Sequence, residues 1–288
     1  MAYCSPSSKQ SAFTCFDLAS LKKIATAYNN EKATSPSDMI KIKNSTKQQL
    51  WDDIMKKMHS ICFNNEWCWI EQSFVKKLND PIINEKTFRP PGPQKFEWLK
   101  TNEINEVLKQ YEDLYPHFAF YGPFPIDFQQ LNVELNNIDL AKMYKNGKTC
   151  IGVVYNLDPH DKPGSHWVAL FMDLNEMTIS YYDSYGEQYP TQIQTFISKM
   201  NQKAQESLGR SFHIKFNTNQ HQYGGSECGI FSIYFILRRL QGDSMETIMN
   251  NTPSDKDINK FRKVFFRPNG NNQQSFTKKT QSRGNMNR

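Results

Sequence analysis

The sequence predicts an α+β fold: a central mixed or antiparallel sheet packed by helices, preceded by a small helical module. Apolar residues recur at helical spacing before residue 80, and short β-branched runs replace that period between 150 and 182. The segment Cys228–Leu240 is apolar nearly all round, the pattern of a helix enclosed by core.

Residues 1–15, rich in Ser, read as a flexible N-terminus, and residues 16–87 as the helical module. Leu18, Leu21, Ile24, Ala25 and Tyr28 give one amphipathic helix that closes on Asn29-Asn30. A Thr34-Ser35-Pro36-Ser37 linker leads to a second helix, started by a Ser45/Gln48 capping box and faced by Leu50, Trp51, Ile54 and Met58. Trp67 and Trp69 read as core aromatics. Neither helix nor strand persists through Phe88-Arg89-Pro90-Pro91-Gly92-Pro93, which marks a boundary and opens a second domain, 88–268. There Thr101 is the expected N-cap of a helix carrying Ile104, Val107, Leu108 and Tyr111, and Tyr121-Gly122-Pro123-Phe124-Pro125 reads as a turn. Cys150–Tyr155 is a strand. His166–Met172 and Met177–Tyr182, joined by the four-residue link Asp173-Leu174-Asn175-Glu176, must be antiparallel neighbours. A helix over Gln192–Leu208 and a strand over Phe212–Asn217 follow, and residues 269–288 form a basic tail with few core formers, expected to be disordered.

The net charge of +6 is unevenly spread: from Ile258 onward there are eight Lys or Arg residues and no acid, so the remainder carries −2. Nucleic-acid binding is therefore expected only of this C-terminal stretch, whose last part, 269–288, lacks aromatic interleaving apart from Phe276. Six widely spread cysteines and no apolar leader after Met1 predict a reducing, intracellular setting. No run approaches the roughly 18 apolar residues of a membrane span. Cys62 and Cys68 lack the spacing and companions of a zinc site, so no metal and no cofactor is expected.

The chemistry centres on Gln222-Tyr223-Gly224-Gly225-Ser226-Glu227-Cys228-Gly229, a polar turn entering the apolar helix. A sulfur there meets unpaired backbone N–H groups and the positive end of the helix dipole, both of which favour negative charge on it. A cysteine before an apolar helix also often simply packs, so the reading needs partners. A thiol nucleophile requires an imidazole, a group orienting that imidazole, and donors for the oxyanion. His166 sits where a glycine-containing loop enters a strand, and Asp183 ends the next strand, so antiparallel pairing brings both to one sheet edge. Gln222 can fold over the turn to aim its amide at a carbonyl oxygen beside the Cys228 N–H.

His166-Trp167, Asp183 and Gln222-x5-Cys228-Gly229, in that order, resemble the catalytic constellation of the ubiquitin-like-protein-specific cysteine proteases, which include SUMO proteases and adenovirus protease. Trp98-Leu99 resembles the pair that opens the domain there, where the Trp helps roof the substrate channel; Thr101 stands where SUMO proteases carry a substrate-contacting Asp. A longer similarity, over residues 50–267, points to the polyprotein-processing proteases of African swine fever virus and related large DNA viruses, with Asp183 in place of their Asn. The resemblance implies an adenain-like cysteine protease fold, with residues 88–268 as catalytic domain and cleavage after Gly-Gly in protein or polyprotein substrates. It implies Cys228 as nucleophile, His166 as acid–base group, Asp183 as orienter and Gln222 as oxyanion donor. Trp98, Trp167 and Gly229 would line the substrate channel, with Gly229 leaving room for substrate backbone. A viral role implies the host cytoplasm and the virion interior, with contact to DNA or an acidic core protein through the C-terminal stretch. A deconjugase of SUMO or ubiquitin shares every one of these residues, and an acyltransferase shares Cys, His and acid; no basic patch for the latter's cofactors stands out in the catalytic half.

Overall fold

The computed structural model describes residues 3–8 and 13–268. The chain divides into two compact units, one running to Pro91 and taking back Arg267, the other spanning Gly92–Phe266.

In the first unit α1 (Leu18–Glu31) begins at Asp17, whose carboxylate accepts from the Ser20 N–H at 2.7 Å. Helix α2 (Lys47–Cys62) starts at a Thr46/Gln49 capping box, one residue later than the Ser45/Gln48 pair expected from sequence. Ser45 instead donates its hydroxyl to the Lys41 carbonyl. Short helices α3 (Glu66–Ile70) and α4 (Ser73–Lys76) follow. Leu21, Ile24, Leu50, Ile54, Trp69 and Phe74 form the core, with Trp69 stacked on Phe16 at 5.7 Å.

Sequence expectation and structure part at several further places in this unit. The N-terminus is tied down among the described residues: Cys4 is fully buried, bonded to Cys15 and bridged to Phe88. Cys62 and Cys68 form a second disulfide, so four of the six cysteines are paired rather than reduced, and Cys150 and Cys228 are free. The boundary also falls later than Phe88, because Tyr3 accepts from the Arg89 N–H and Pro90 from the Arg267 N–H, which holds 88–91 in the first unit. Arg267, buried and 3.5 Å from Glu71, is a structural member of this unit rather than part of a solvated basic tail. The expected tail, 269–288, lies outside the described residues.

The second unit is built on a sheet of order β1-β2-β3-β4-β5. Helix α5 (Thr101–Leu114) leads in, with Thr101 inside it and Lys100 at the cap, whose N–H reaches Glu103 at 2.7 Å. Strand β1 (Phe118–Pro125) covers the stretch expected to be a turn. It pairs parallel with β2, its register slipping between Phe120 and Pro123, where Gly122 takes φ +43° and Pro123 has no N–H to offer the ladder. After α6 (Leu140–Lys145) come β2 (Cys150–Asn156), β3 (Trp167–Asp173) and β4 (Thr178–Tyr182); β3 pairs antiparallel with β2 and, as expected, with β4. Helix α7 (Thr191–Leu208) returns the chain to β5 (His213–Phe216), which lies parallel to β4. Helix α8 (Cys228–Leu240) is followed by α9 (Met245–Asn250), α10 (Asp255–Ile258) and α11 (Arg262–Phe265).

Period-two alternation gives the sheet two apolar faces. Phe118, Val154, Ala169, Phe171 and Tyr182 face α8 and α5, while Ile151, Tyr155, Leu170, Ile179 and Tyr181 share the other core with α7. Covered by the sheet on one side and by α5 and the C-terminal helices on others, α8 buries Cys228 through Leu237, which is why its sequence has no polar stripe. No helix among the described residues is long and apolar enough to cross a membrane.

Candidate active site

The ends of β3 and β4, the 217–227 loop and the start of α8 converge at one edge of the sheet. His166 immediately precedes β3 and Asp183 immediately follows β4, so the antiparallel pairing sets them side by side. His166 Nε2 meets Asp183 Oδ1 at 2.6 Å, with the two side chains 10 % and 1 % exposed. Cys228 also acts on the ring, favouring its charged form. Burial works against a charged imidazole, yet the Asp183 hydrogen bond and the influence of Cys228 outweigh it and hold the ring's pKa at about 9, so it is an imidazolium at neutral pH.

The end of β4 is fixed by Asn217, which the sequence reading passed over. Its amide accepts from the Asp183 N–H at 2.9 Å and donates to the Asp183 carbonyl at 2.6 Å, locking the carboxylate's backbone from both sides. The loop preceding His166 is shaped by Asn156, whose side-chain oxygen accepts from the N–H groups of Asp158 and Ser165.

Gln222 is completely buried in the loop, its carbonyl accepting from Ser184 Oγ at 2.7 Å. Its amide was expected to point at the reacting carbonyl. In the structure the nitrogen donates to the Gly224 carbonyl at 2.8 Å and to Tyr185 Oη at 3.4 Å, so an oxyanion would take over one of those bonds. Asp255 Oδ2 receives the N–H groups of Tyr223 and Gly224, each at 2.8 Å. Glu227, at the cap of α8, accepts from the Ser226 N–H and hydroxyl and from Asn259 Nδ2. Burial pushes its carboxyl up, but the Asn259 and Ser226 hydrogen bonds and the Arg262 charge leave it below the usual range. Arg262 itself is fully buried, donating to the Ser226 carbonyl at 3.0 Å and to Asn259 Oδ1 at 2.7 Å. One of the eight cations assigned to a basic C-terminal stretch is thus a brace for the turn before Cys228.

Two glycines of the turn meet close neighbours. A Cβ on Gly229 would lie 2.9 Å from Leu99, so the bare glycine lets Leu99 approach closely. A Cβ on Gly224 would strike Glu227 Oε2 at 2.7 Å, so that glycine serves close packing as well as the bend. Trp167 is buried and donates its indole N–H to the Leu99 carbonyl at 2.9 Å, tying the Trp98-Leu99 segment to β3; Trp98 is 48 % exposed.

A sulfur at a helix start, an imidazolium that it acts on and a carboxylate bonded to that ring can carry out nucleophilic acyl transfer. The sequence profile of the Ulp1 protease family, C-terminal catalytic domain, matches residues 148–272, which contain all of these groups. Over 271 residues the chain is 37 % identical to a thiol protease of Acanthamoeba polyphaga mimivirus, covering 88 % of this chain and 89 % of that one. The chain belongs to the Ulp1 family of cysteine proteases. This Ulp1-family protease is also 30 % identical to a cysteine protease of African swine fever virus over 236 residues, 74 % of its own length and 86 % of the relative's. In another isolate of that virus the matching protein, with the same identity and coverage, is named a SUMO-1 cysteine protease. The crystal structure of the African swine fever virus protease shares the fold, with a TM-score of 0.64 at 22 % identity over 93 % of this chain and 96 % of that one.

Proposed function

We propose that this cysteine protease cuts protein substrates after Gly-Gly, in viral structural polyproteins or core proteins during particle maturation. The observation that carries the catalytic part is the buried Asp183–His166 pair, on whose ring Cys228 also acts. Cys228 attacks the carbonyl, and the oxyanion is held by the Cys228 N–H and by Gln222 released from Gly224 or Tyr185. The His166 imidazolium passes its proton to the leaving amine, and Asp183 keeps the ring oriented. The proximity of Leu99, Trp167 and Gly229, with Trp98 exposed beside them, supports a channel too narrow for a side chain next to the cut. Viral relatives support action in the virus factory and the particle, and the two disulfides favour the particle over the reducing host cytoplasm. Contact with DNA or an acidic core protein rests with residues beyond Arg267, since Arg262 and Arg267 are engaged in the fold.

The test is a Gly-Gly-Xaa peptide library with cleaved bonds mapped by mass spectrometry; cuts after Gly-Gly are expected, and an unchanged rate with Cys228→Ala would sink the assignment. The second reading, removal of a SUMO-like or ubiquitin-like modifier, is favoured by the name SUMO-1 cysteine protease that relatives from several isolates carry. A modifier bearing a C-terminal electrophile that labels Cys228, with no peptide cleaved, would select it.

A further inference from the structure

Tyr185 is not among the four groups above, yet it touches three of them. Its ring lies flat on the His166 imidazole, centroids 4.5 Å and planes 15° apart. Its backbone N–H donates to Asp183 Oδ1 at 2.8 Å, the oxygen that also meets His166 Nε2. Its hydroxyl accepts from Gln222 at 3.4 Å. The β3–β4 ladder ends at Ala169 opposite Tyr182; carried three residues further along each strand it sets Tyr185 across from His166.

An aromatic face attracts a cation, more strongly where water is excluded, and His166 is only 8 % exposed. A flat stack also removes the ring's freedom to rotate out of line with Asp183 and Cys228. We propose that Tyr185 is a positioning residue that holds the His166 imidazolium in line between sulfur and carboxylate, and that its ring rather than its hydroxyl does so. The groups facing the imidazole are Asp183 after β4 and Cys228 on α8. Those around Tyr185 are the same two with Glu227 and Asp255, and burial first and then their charges keep the phenol protonated. This rests on the reading of His166 as the acid–base group.

The experiment compares Tyr185→Phe and Tyr185→Leu in the full chain. It reads kcat and KM from pH 5 to 10 on a cleaved peptide, together with the His166 Cε1–H resonance assigned by its loss in His166→Gln. Phe keeps the ring, so kcat within about 3-fold, an unmoved alkaline limb and an unmoved resonance are expected. Leu fills the space without a π face: kcat falls about 10–100-fold at nearly constant KM, and the alkaline limb drops by about one pH unit. The Cε1–H resonance then loses its ring-current shift, a readout that needs no substrate. If Leu fails to fold, Tyr185→Gln also removes the ring and is read in the same way. Wild-type kcat and pH limb in the ring-less variant would overturn the proposal, as would a Phe variant impaired as much as Leu, which would assign the effect to the hydroxyl. Failure of the underlying reading looks different: His166→Gln would then retain activity.

Discussion

Two histidine–carboxylate pairs flank the same loop, and their bond lengths are identical. His160 Nδ1 meets Asp127 Oδ2 at 2.6 Å, and His166 Nε2 meets Asp183 Oδ1 at 2.6 Å. The His160 side chain is 57 % exposed and that of His166 10 %. His160 is raised from its ordinary pKa by its Asp127 hydrogen bond, with burial opposing only weakly; His166 is raised against a dominant burial penalty, because two buried partners oppose it. A short His–carboxylate contact therefore does not identify a proton-transfer group. The His166 pair differs from the surface tether by its enclosure and by the influence of Cys228, and these two features carry its reading as the acid–base group.

That contrast is broken most directly at the buried pair. His166→Ala and Cys228→Ser are each expected to lower kcat/KM by about 10³-fold or more, measured on the peptide cleaved by the wild type. Gln222→Ala is expected to cost about 10²–10³-fold in kcat with little change in KM, since an oxyanion donor acts mainly in the transition state. A rise in KM alone would make Gln222 a binding group instead.

Asp183→Asn sharpens the comparison by keeping the hydrogen-bond acceptor and removing the charge. The wild-type imidazolium is lost as pH rises through about 9, so activity that needs its proton falls there. With the carboxylate gone, the alkaline limb should move down by about 1–3 pH units. The sign for stability follows the same pair. The folded-state pKa of His166 lies above its ordinary 6.5, so the pair's contribution is complete below about pH 6.5 and disappears as pH climbs through about 9. Denaturant midpoints of wild type and Asp183→Asn should therefore converge between those pH values; parallel curves would contradict the assignment.

The sequence shows the site's outline because strand order is encoded in a simple period: two apolar runs with a four-residue link force His166 and Asp183 to one edge. What holds the site was harder to read. Asn217, Asp255, Asn259 and Arg262 act through side-chain bonds spanning up to 36 positions, and no local pattern marks such partners. Tyr185 was reachable by extending the ladder past Tyr182, but a Ser-Tyr-Gly turn reads first as a turn. β1 was missed because Gly122 and Pro123, ordinary turn signals, sit inside it at a register slip. The paired cysteines of the first unit were missed because sequence spacing cannot show that Cys4 folds back on Cys15.

The smallest effect belongs to the exposed pair. His160→Ala removes a tether between the loop before β3 and the turn after β1, so a reader guided by bond length alone would expect His166 to shift. The loop has other anchors: Asn156 holds both Asp158 and Ser165, the Ile126 N–H reaches the Asp158 carbonyl at 3.1 Å, and the Leu157 N–H reaches the His166 carbonyl at 2.9 Å. The backbone N–H of residue 160 still donates to Asp127 Oδ1 when the ring is gone. Activity within about 2-fold of wild type, the same alkaline limb, and a melting shift under about 2 °C are expected, as for other exposed ion pairs. Asn156→Ala, which removes the buried anchor while leaving the His160 pair intact, should cost more in kcat than His160→Ala. The reverse order would mean that the surface pair, and not the enclosed amide, sets where His166 stands.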